Sequence, residues 1–324
     1  MKKILSIIFL ITFFAACSDD VQIKNFDINS AKVIRTTKII NETEGAFFYP
    51  KFDDKNKRIF FSTANYTGIF YYDLEKKSIN NLIDAKGTGL YYIVEGNEIY
   101  FVLPAINERN NRRIFSVAKQ NIESKKIDFI FKSNSGIKSL ALEENILSFF
   151  VNDTVKFFDI SNNVFVENRD IYDVTVFSSL NDRLLIYSEG ELRTFTPFQN
   201  YMITNVTEAD DRNLILEIAG KGVYKYSLET NQIDFLTDEI ILLNMLKNSN
   251  LAVGVKQKND GLIETKSEIF LFDILSKNLI NLTAELNITA LNPSFNNDGS
   301  QIAFNTMEGN IYLMSLKISE GQAL

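Results

Sequence analysis

Short apolar runs recur along this chain, each set off by a polar turn cluster. RIFFS (58–62), EIYFVL (98–103), ILSFFV (146–151), RLLIYS (183–188), LILEIA (214–219), LAVGV (251–255) and QIAFN (301–305) are apolar at successive positions. Five or six residues is strand length, and unbroken apolarity is expected where both faces of a strand are covered. A second run follows each and usually closes on Asp or Ser before an aliphatic residue. These runs are IFYYDL (69–74), RIFSV (113–117), VKFFDI (155–160), LRTFT (192–196), VYKYSL (223–228), IFLFDI (269–274) and IYLMSL (311–316). A polar turn and a third strand come next, as in EKKSINNLI, ETNQIDFLT and LSKNLINLT. With a short inner strand ahead of each first run, the unit has four antiparallel strands.

Two units nearly repeat each other. Pro50, Phe52, Ile59, Phe61 and Thr63 recur in step as Pro293, Phe295, Ile302, Phe304 and Thr306. Their separation divides into six intervals of about 40 residues, the period of a four-stranded propeller blade. The pattern therefore predicts an all-β, seven-bladed β-propeller, or six blades if the weakest unit, around 170–205, forms no blade of its own. After Leu316 too few residues remain for an outer strand of the last blade. KVIRTTKII (32–40) is strand-like and belongs to no unit. It is predicted to pair as that missing strand, closing the ring and protecting its edges. One propeller domain over 32–318 and a tail over 319–324 follow.

The pattern P-x-F-(turn)-x-I-x-F-x-T-(loop)-G-x-I-Y-x-x-(D/S)-L resembles the β-propeller repeat of TolB-type proteins. The first and last blades match it well, and the middle blades keep its strand rhythm. The resemblance implies architecture and no activity, because propellers host enzymes, scaffolds and binders alike. The α/β domain that precedes the propeller in TolB has no match in these residues, so TolB's own role is not implied.

The amino terminus reads as an address. Lys2 and Lys3 precede an apolar stretch over 4–14 that is too short to span a bilayer. Phe14-Ala15-Ala16-Cys17 then resembles the lipobox of bacterial lipoproteins, with Phe14 where Leu is usual. That resemblance implies a signal peptide over 1–16, acylation of Cys17 and a polar tether over 17–31. It also implies a lipid-anchored place in the cell envelope. Ser18-Asp19-Asp20 is similar to outer-membrane and surface-export sorting signals, with a solvated linker as the alternative. An ordinary secretory signal with an incidental cysteine is the alternative.

Composition removes many chemistries. There is no histidine and a single cysteine, so His-based triads, disulfides within the chain and Cys-based zinc sites are excluded. The net charge of −7 argues against nucleic-acid binding. No G-x-S-x-G elbow, Walker loop or dinucleotide fingerprint occurs, and Gly87-Thr88-Gly89 reads as a loop between blades. Asn296-Asn297-Asp298-Gly299 and Asn259-Asp260-Gly261 lack the full ligand set of a calcium loop. No metal, cofactor or catalytic residue is assigned. The carboxylate pairs Asp53/Asp54, Glu143/Glu144 and Asp210/Asp211 fall in predicted turns and read as solvated turn chemistry. Phe47-Phe48-Tyr49 and Tyr91-Tyr92 read as blade packing.

Two long connections, 104–113 in the second blade and 256–266 in the sixth, are predicted loops on one ring face. Arg109, Arg112, Arg113, Lys256 and Lys258 on them are the candidate partner-binding residues, the three arginines suited to carboxylates or phosphates, with a solvated hairpin as the alternative. The expected function is a noncatalytic, monomeric, lipid-anchored propeller that presents this face to a protein or envelope polymer. The rival is a carboxylate-based glycosidase or lyase with its site in the central channel, which would need two carboxylates converging there.

Overall fold

A computed structural model describes residues 23–107, 111–167, 174–259 and 264–321. The described residues contain strands and turns and no helix. The first strand, β1 (Phe26–Ile40), belongs to the last blade. Blade 1 is β2 (Phe48–Phe52), β3 (Arg58–Ser62), β4 (Ile69–Asp73) and β5 (Ser78–Ile83). Blade 2 is β6 (Tyr92–Glu95), β7 (Glu98–Asn107), β8 (Arg112–Asn121) and β9 (Ile127–Ser133). Blade 3 is β10 (Ile137–Glu143), β11 (Ile146–Val151), β12 (Thr154–Asp159) and β13 (Val164–Val166). Blade 4 has three strands: β14 (Val176–Leu180), β15 (Arg183–Ser188) and β16 (Glu191–Phe195). Blade 5 is β17 (Ile203–Asp210), β18 (Asn213–Ile218), β19 (Gly222–Ser227) and β20 (Ile233–Thr237). Blade 6 is β21 (Ile241–Met245), β22 (Leu251–Asn259), β23 (Glu264–Asp273) and β24 (Leu279–Asn281). Blade 7 is β25 (Ala290–Phe295), β26 (Gln301–Thr306) and β27 (Ile311–Glu320), with β1 outermost. The seven-bladed propeller predicted from the repeat is the fold, and the six-bladed alternative falls away.

The continuous apolar runs are the second strands, and their burial explains the pattern. Ile59, Phe60 and Phe61 are all fully buried. Phe60 packs toward blade 2, while Ile59 and Phe61 pack toward blade 7. Each buried Phe of this kind contributes about 1.5–3 kcal/mol relative to exposure. Apolar layers of this type fill every interface around the ring.

In five blades the Asp, Asn or Ser closing the third strand (Asp73, Asn121, Asp159, Ser227 and Asp273) caps the turn to the fourth. Asp73 accepts the N–H groups of Glu75 and Lys76, Asp159 those of Ser161 and Asn162, and Asp273 those of Leu275 and Ser276. These bonds hold the Asp73 and Asp159 carboxyls below the usual carboxylate range. Four residues after the cap, Lys77, Lys125, Asn163, Asn231 and Lys277 all adopt left-handed backbone, so this turn is one recurring structure.

β1 pairs with β27, Val33 opposite Leu316 and Ile40 opposite Ile311, so the predicted closure holds. The strand begins at Phe26, inside the stretch read as tether, with a break in register between Asp27 and Lys32. The two matching sequence copies thereby become neighbours. Asn297 of blade 7 donates to Asp54 O (2.7 Å) and to Asn56 Oδ1 (3.2 Å) of blade 1.

Blade 4 is the departure from the repeat. A four-stranded blade enters and leaves on one ring face, whereas three strands leave on the opposite one. Three contacts set this blade upside down. The N–H groups of Ile203, which opens blade 5, and of Asn200 donate to Asn181 O (2.7 Å) and Asp182 Oδ2 (3.1 Å) in the first turn of blade 4. Arg183, beside that turn, reaches Asp153 in the second turn of blade 3 at 4.0 Å. The blade therefore ends where β17 begins, and Thr196-Pro197 stands where other blades cap a fourth strand.

Candidate functional site

Apart from blade 4, first-to-second and third-to-fourth strand turns form one ring face, here the lower. Second-to-third turns and inter-blade connections form the upper face. The predicted loops of blades 2 and 6 belong to the upper face, but they are paired strand for most of their length. β7 and β8 stay in register from Glu98–Asn121 to Asn107–Arg112, and β22 and β23 from Leu251–Asp273 to Lys258–Lys266, with a shift before Asn259–Glu264. Pro104 lies within the paired β7–β8 stretch. The Val102 N–H points to Tyr91 O on the β6 side, and a residue two further on points the same way, where β6 has no residue left. A proline there breaks no ladder bond.

The candidate binding residues separate on these hairpins. Arg112 and Arg113 are exposed at the start of β8. Lys256 lies in β22, where its ammonium pairs with Glu239 and sits 5.7 Å from the Phe270 ring centre. The backbone of Lys258 pairs with Lys266. Arg109 and Cys17 lie outside the described residues. The two hairpins rise from different blades, so their basic residues form two separate groups on one face.

The central channel has a chemistry of its own. Two cavities, about 400 and 510 Å³, are lined between them by all seven innermost strands. The first holds Lys51, Tyr91, Tyr92, Glu143, Glu208 and Lys247. Lys247 pairs with Glu208 at 3.4 Å. Burial raises the Glu143 carboxyl, and the negative charge of Glu208 adds to the effect while Lys247 opposes it. Burial raises Glu208 as well. Glu143 thus leaves the solvated-turn reading, and it meets a carboxylate that no adjacent pair in the sequence announced. Asp53 leaves it too. It is buried, accepts the Lys57 and Arg58 N–H groups and pairs with Arg58 at 2.9 Å. Asp54, Glu144 and Asp211 are exposed, as expected. Among the described residues no group of His, Cys, Asp or Glu could hold a metal ion.

The channel mouth is built from strained backbone. Tyr49, Ser139, Leu242 and Asn292, each near the start of an inner strand, all take φ between 49° and 60°. Left-handed backbone is unfavourable for such residues and needs outside support. The neighbouring blade gives it in two cases: Asn305 Oδ1 accepts the Tyr49 N–H, and buried Glu217 accepts the Leu242 N–H at 2.8 Å. Phe47 and Tyr92 pack in the core as expected, whereas Tyr49 stacks on Tyr66 at 4.5 Å beside the mouth.

No protein-family model matches the chain, and no curated protein matches it in sequence. Solved structures do match in shape. A chain from the crystal structure of a mitotic checkpoint complex aligns over 97% of this chain and 98% of its own, with 10% identity and a TM-score of 0.55. An oligogalacturonate lyase from Vibrio parahaemolyticus aligns over 83% and 77%, with 13% identity and a TM-score of 0.42. At 10% identity the likeness to the checkpoint-complex chain is one of fold alone. The propeller is common to proteins with different tasks.

Proposed function

We propose that this chain is a lipid-anchored cell-envelope propeller of TolB-like repeats that presents its upper face to a protein or envelope-polymer partner. The observation that carries the reading is the opposition of two features across the disc. The long hairpins of blades 2 and 6 rise from the upper face. The described chain enters at the lower face, where Lys24 donates to Asn248 O at 2.8 Å and bridges to Ser249. Asn250 fixes the entry, accepting the Phe26 N–H and donating to Phe26 O. Seven residues separate Lys24 from Cys17, a reach of at most roughly 25 Å. An acyl group on Cys17 would hold the lower face toward the membrane and turn the hairpins away from it.

Two measurements test this. Cys17→Ala should release the protein from the membrane fraction, and an unchanged fraction removes the anchor. Crosslinking in whole envelopes should recover a stable partner. Loss of that partner on shortening either hairpin supports the face assignment, and recovery of nothing under several conditions counts against the scaffold role. The enzyme reading keeps one observation in its favour, the shared cavity of Glu143 and Glu208. Turnover of oligosaccharides that disappears in both Glu143→Gln and Glu208→Gln would establish it.

A further inference from the structure

Lys51 stands in the repeat where the fold asks for nothing. In the matching copy the sequence Pro-Lys-Phe at Pro50 becomes Pro-Ser-Phe at Pro293, so proline and phenylalanine recur while Lys51 corresponds to Ser294. Lys51 borders both channel cavities, and its ammonium lies 5.1 Å from the Tyr92 ring centre. Among the described residues no carboxylate lies within ion-pair distance of it. It keeps contact with channel water, but the surrounding walls strip part of its hydration and hold its pKa below the ordinary lysine range. An unpaired cation in a confined channel is stabilised by an anion brought to it.

The remaining walls indicate what else that anion carries. Asn205 donates its amide to Leu243 O, Asn244 accepts the Phe295 N–H, and Asn292 donates to Asn305 Oδ1. Each amide is oriented by one such bond, and its other end is unused among the described residues. All three border the larger cavity, whose only charged lining group is Lys51. Its volume lies within the range of small-molecule sites. Glu143 and Glu208, lower in the channel, repel an anion and bound the depth it reaches.

We propose that the central channel binds a small hydroxylated organic anion, with its carboxylate or phosphate on Lys51 and its hydroxyl groups on Asn205, Asn244 and Asn292. This site is independent of the lipid anchor and of the hairpin partner. Isothermal titration of the full chain in detergent with glucuronate, glucose 6-phosphate and glucose tests it. At least one of the two anions should bind at least about tenfold more tightly than glucose. Glucuronate alone identifies a carboxylate site, and glucose 6-phosphate alone a phosphate site. Lys51→Met should weaken that binding by about tenfold or more, while Lys55→Met on the exposed lower turn leaves it unchanged. In wild-type protein, the bound anion should also slow reductive methylation of Lys51, a readout that needs no variant to fold. Failure of both anions to bind, wild-type affinity in Lys51→Met, or unprotected Lys51 would each overturn the proposal.

Discussion

The adjacent carboxylates Asp53 and Asp54 give a sharp test of how this ring is held. In sequence they are indistinguishable turn residues. In the structure Asp53 is 1% exposed and accepts three hydrogen bonds from its own turn, at 2.7 Å from the Lys57 N–H, 3.0 Å from the Arg58 N–H and 2.9 Å from Arg58 Nε. Arg58 in turn donates to Gly96 O of blade 2 at 2.7 Å, so the carboxylate orients a link between blades. Replacing Asp53 by Ala leaves two backbone donors and a guanidinium with side-chain exposure of 14% deprived of their acceptor. Removing one partner of a buried pair costs about 3–5 kcal/mol. Because Arg58 keeps Gly96 O, Asp53→Ala is expected near the lower end, about 3 kcal/mol. Asp53→Asn preserves an acceptor for the turn and should lose less. Asp54→Ala is expected to stay within about 0.5 kcal/mol of wild type, as exposed substitutions generally do. Urea unfolding followed by tyrosine near-ultraviolet circular dichroism measures all three. Equal stabilities for Asp53→Ala and Asp54→Ala would refute the reasoning.

Other outcomes follow from particular contacts. Gly309 has φ +86°, and an added Cβ would lie 2.6 Å from Ala46 Cα, so Gly309→Ala should destabilise the blade 7–blade 1 junction by more than about 1 kcal/mol; an unchanged melting temperature contradicts this. Burial raises the Glu217 carboxyl above 4.5, so its contribution is full below that value and is lost as pH rises through the folded-state pKa. Glu217→Gln should therefore flatten the pH dependence of stability in that window, read from urea midpoints at several pH values. Asp73 carries the opposite sign: its stabilisation is present above 3.8 and lost as pH falls. Deleting 26–40 should expose β27 and produce concentration-dependent aggregation by light scattering, and a stable monomer would show that closure is dispensable.

Most of the ring was legible because the signal is local. RIFFS, ILSFFV and RLLIYS coincide with β3, β11 and β15 at both ends, since the residues that bury both faces of a strand are consecutive. The Asp or Ser that closes the third strand in blades 1, 3, 5 and 6 was visible before its role as a turn cap was, whereas Asn121 of blade 2 lay beyond the run read as that strand. Blade 4 was harder. LRTFT ends without that cap and runs into Pro197, a sign of a missing strand, but its reversed direction is fixed by contacts with blades 3 and 5. The channel was illegible for a related reason. Lys51, Glu143, Glu208 and Lys247 come from four blades, and only ring closure brings them together.

That closure also has a meaning in time. β1 is made first, yet its partner β27 is made last. At roughly 5–20 residues per second, β1 waits on the order of tens of seconds for its ladder. Over that interval the apolar side chains of Ile28 and Ile40, both buried in the closed ring, and the unsatisfied backbone of β1 are open to other chains. A chain broken before Ile311 has no β27 with which to close. The finished disc therefore reports that synthesis has passed β27, since β1 finds its partner only in a molecule that carries that strand.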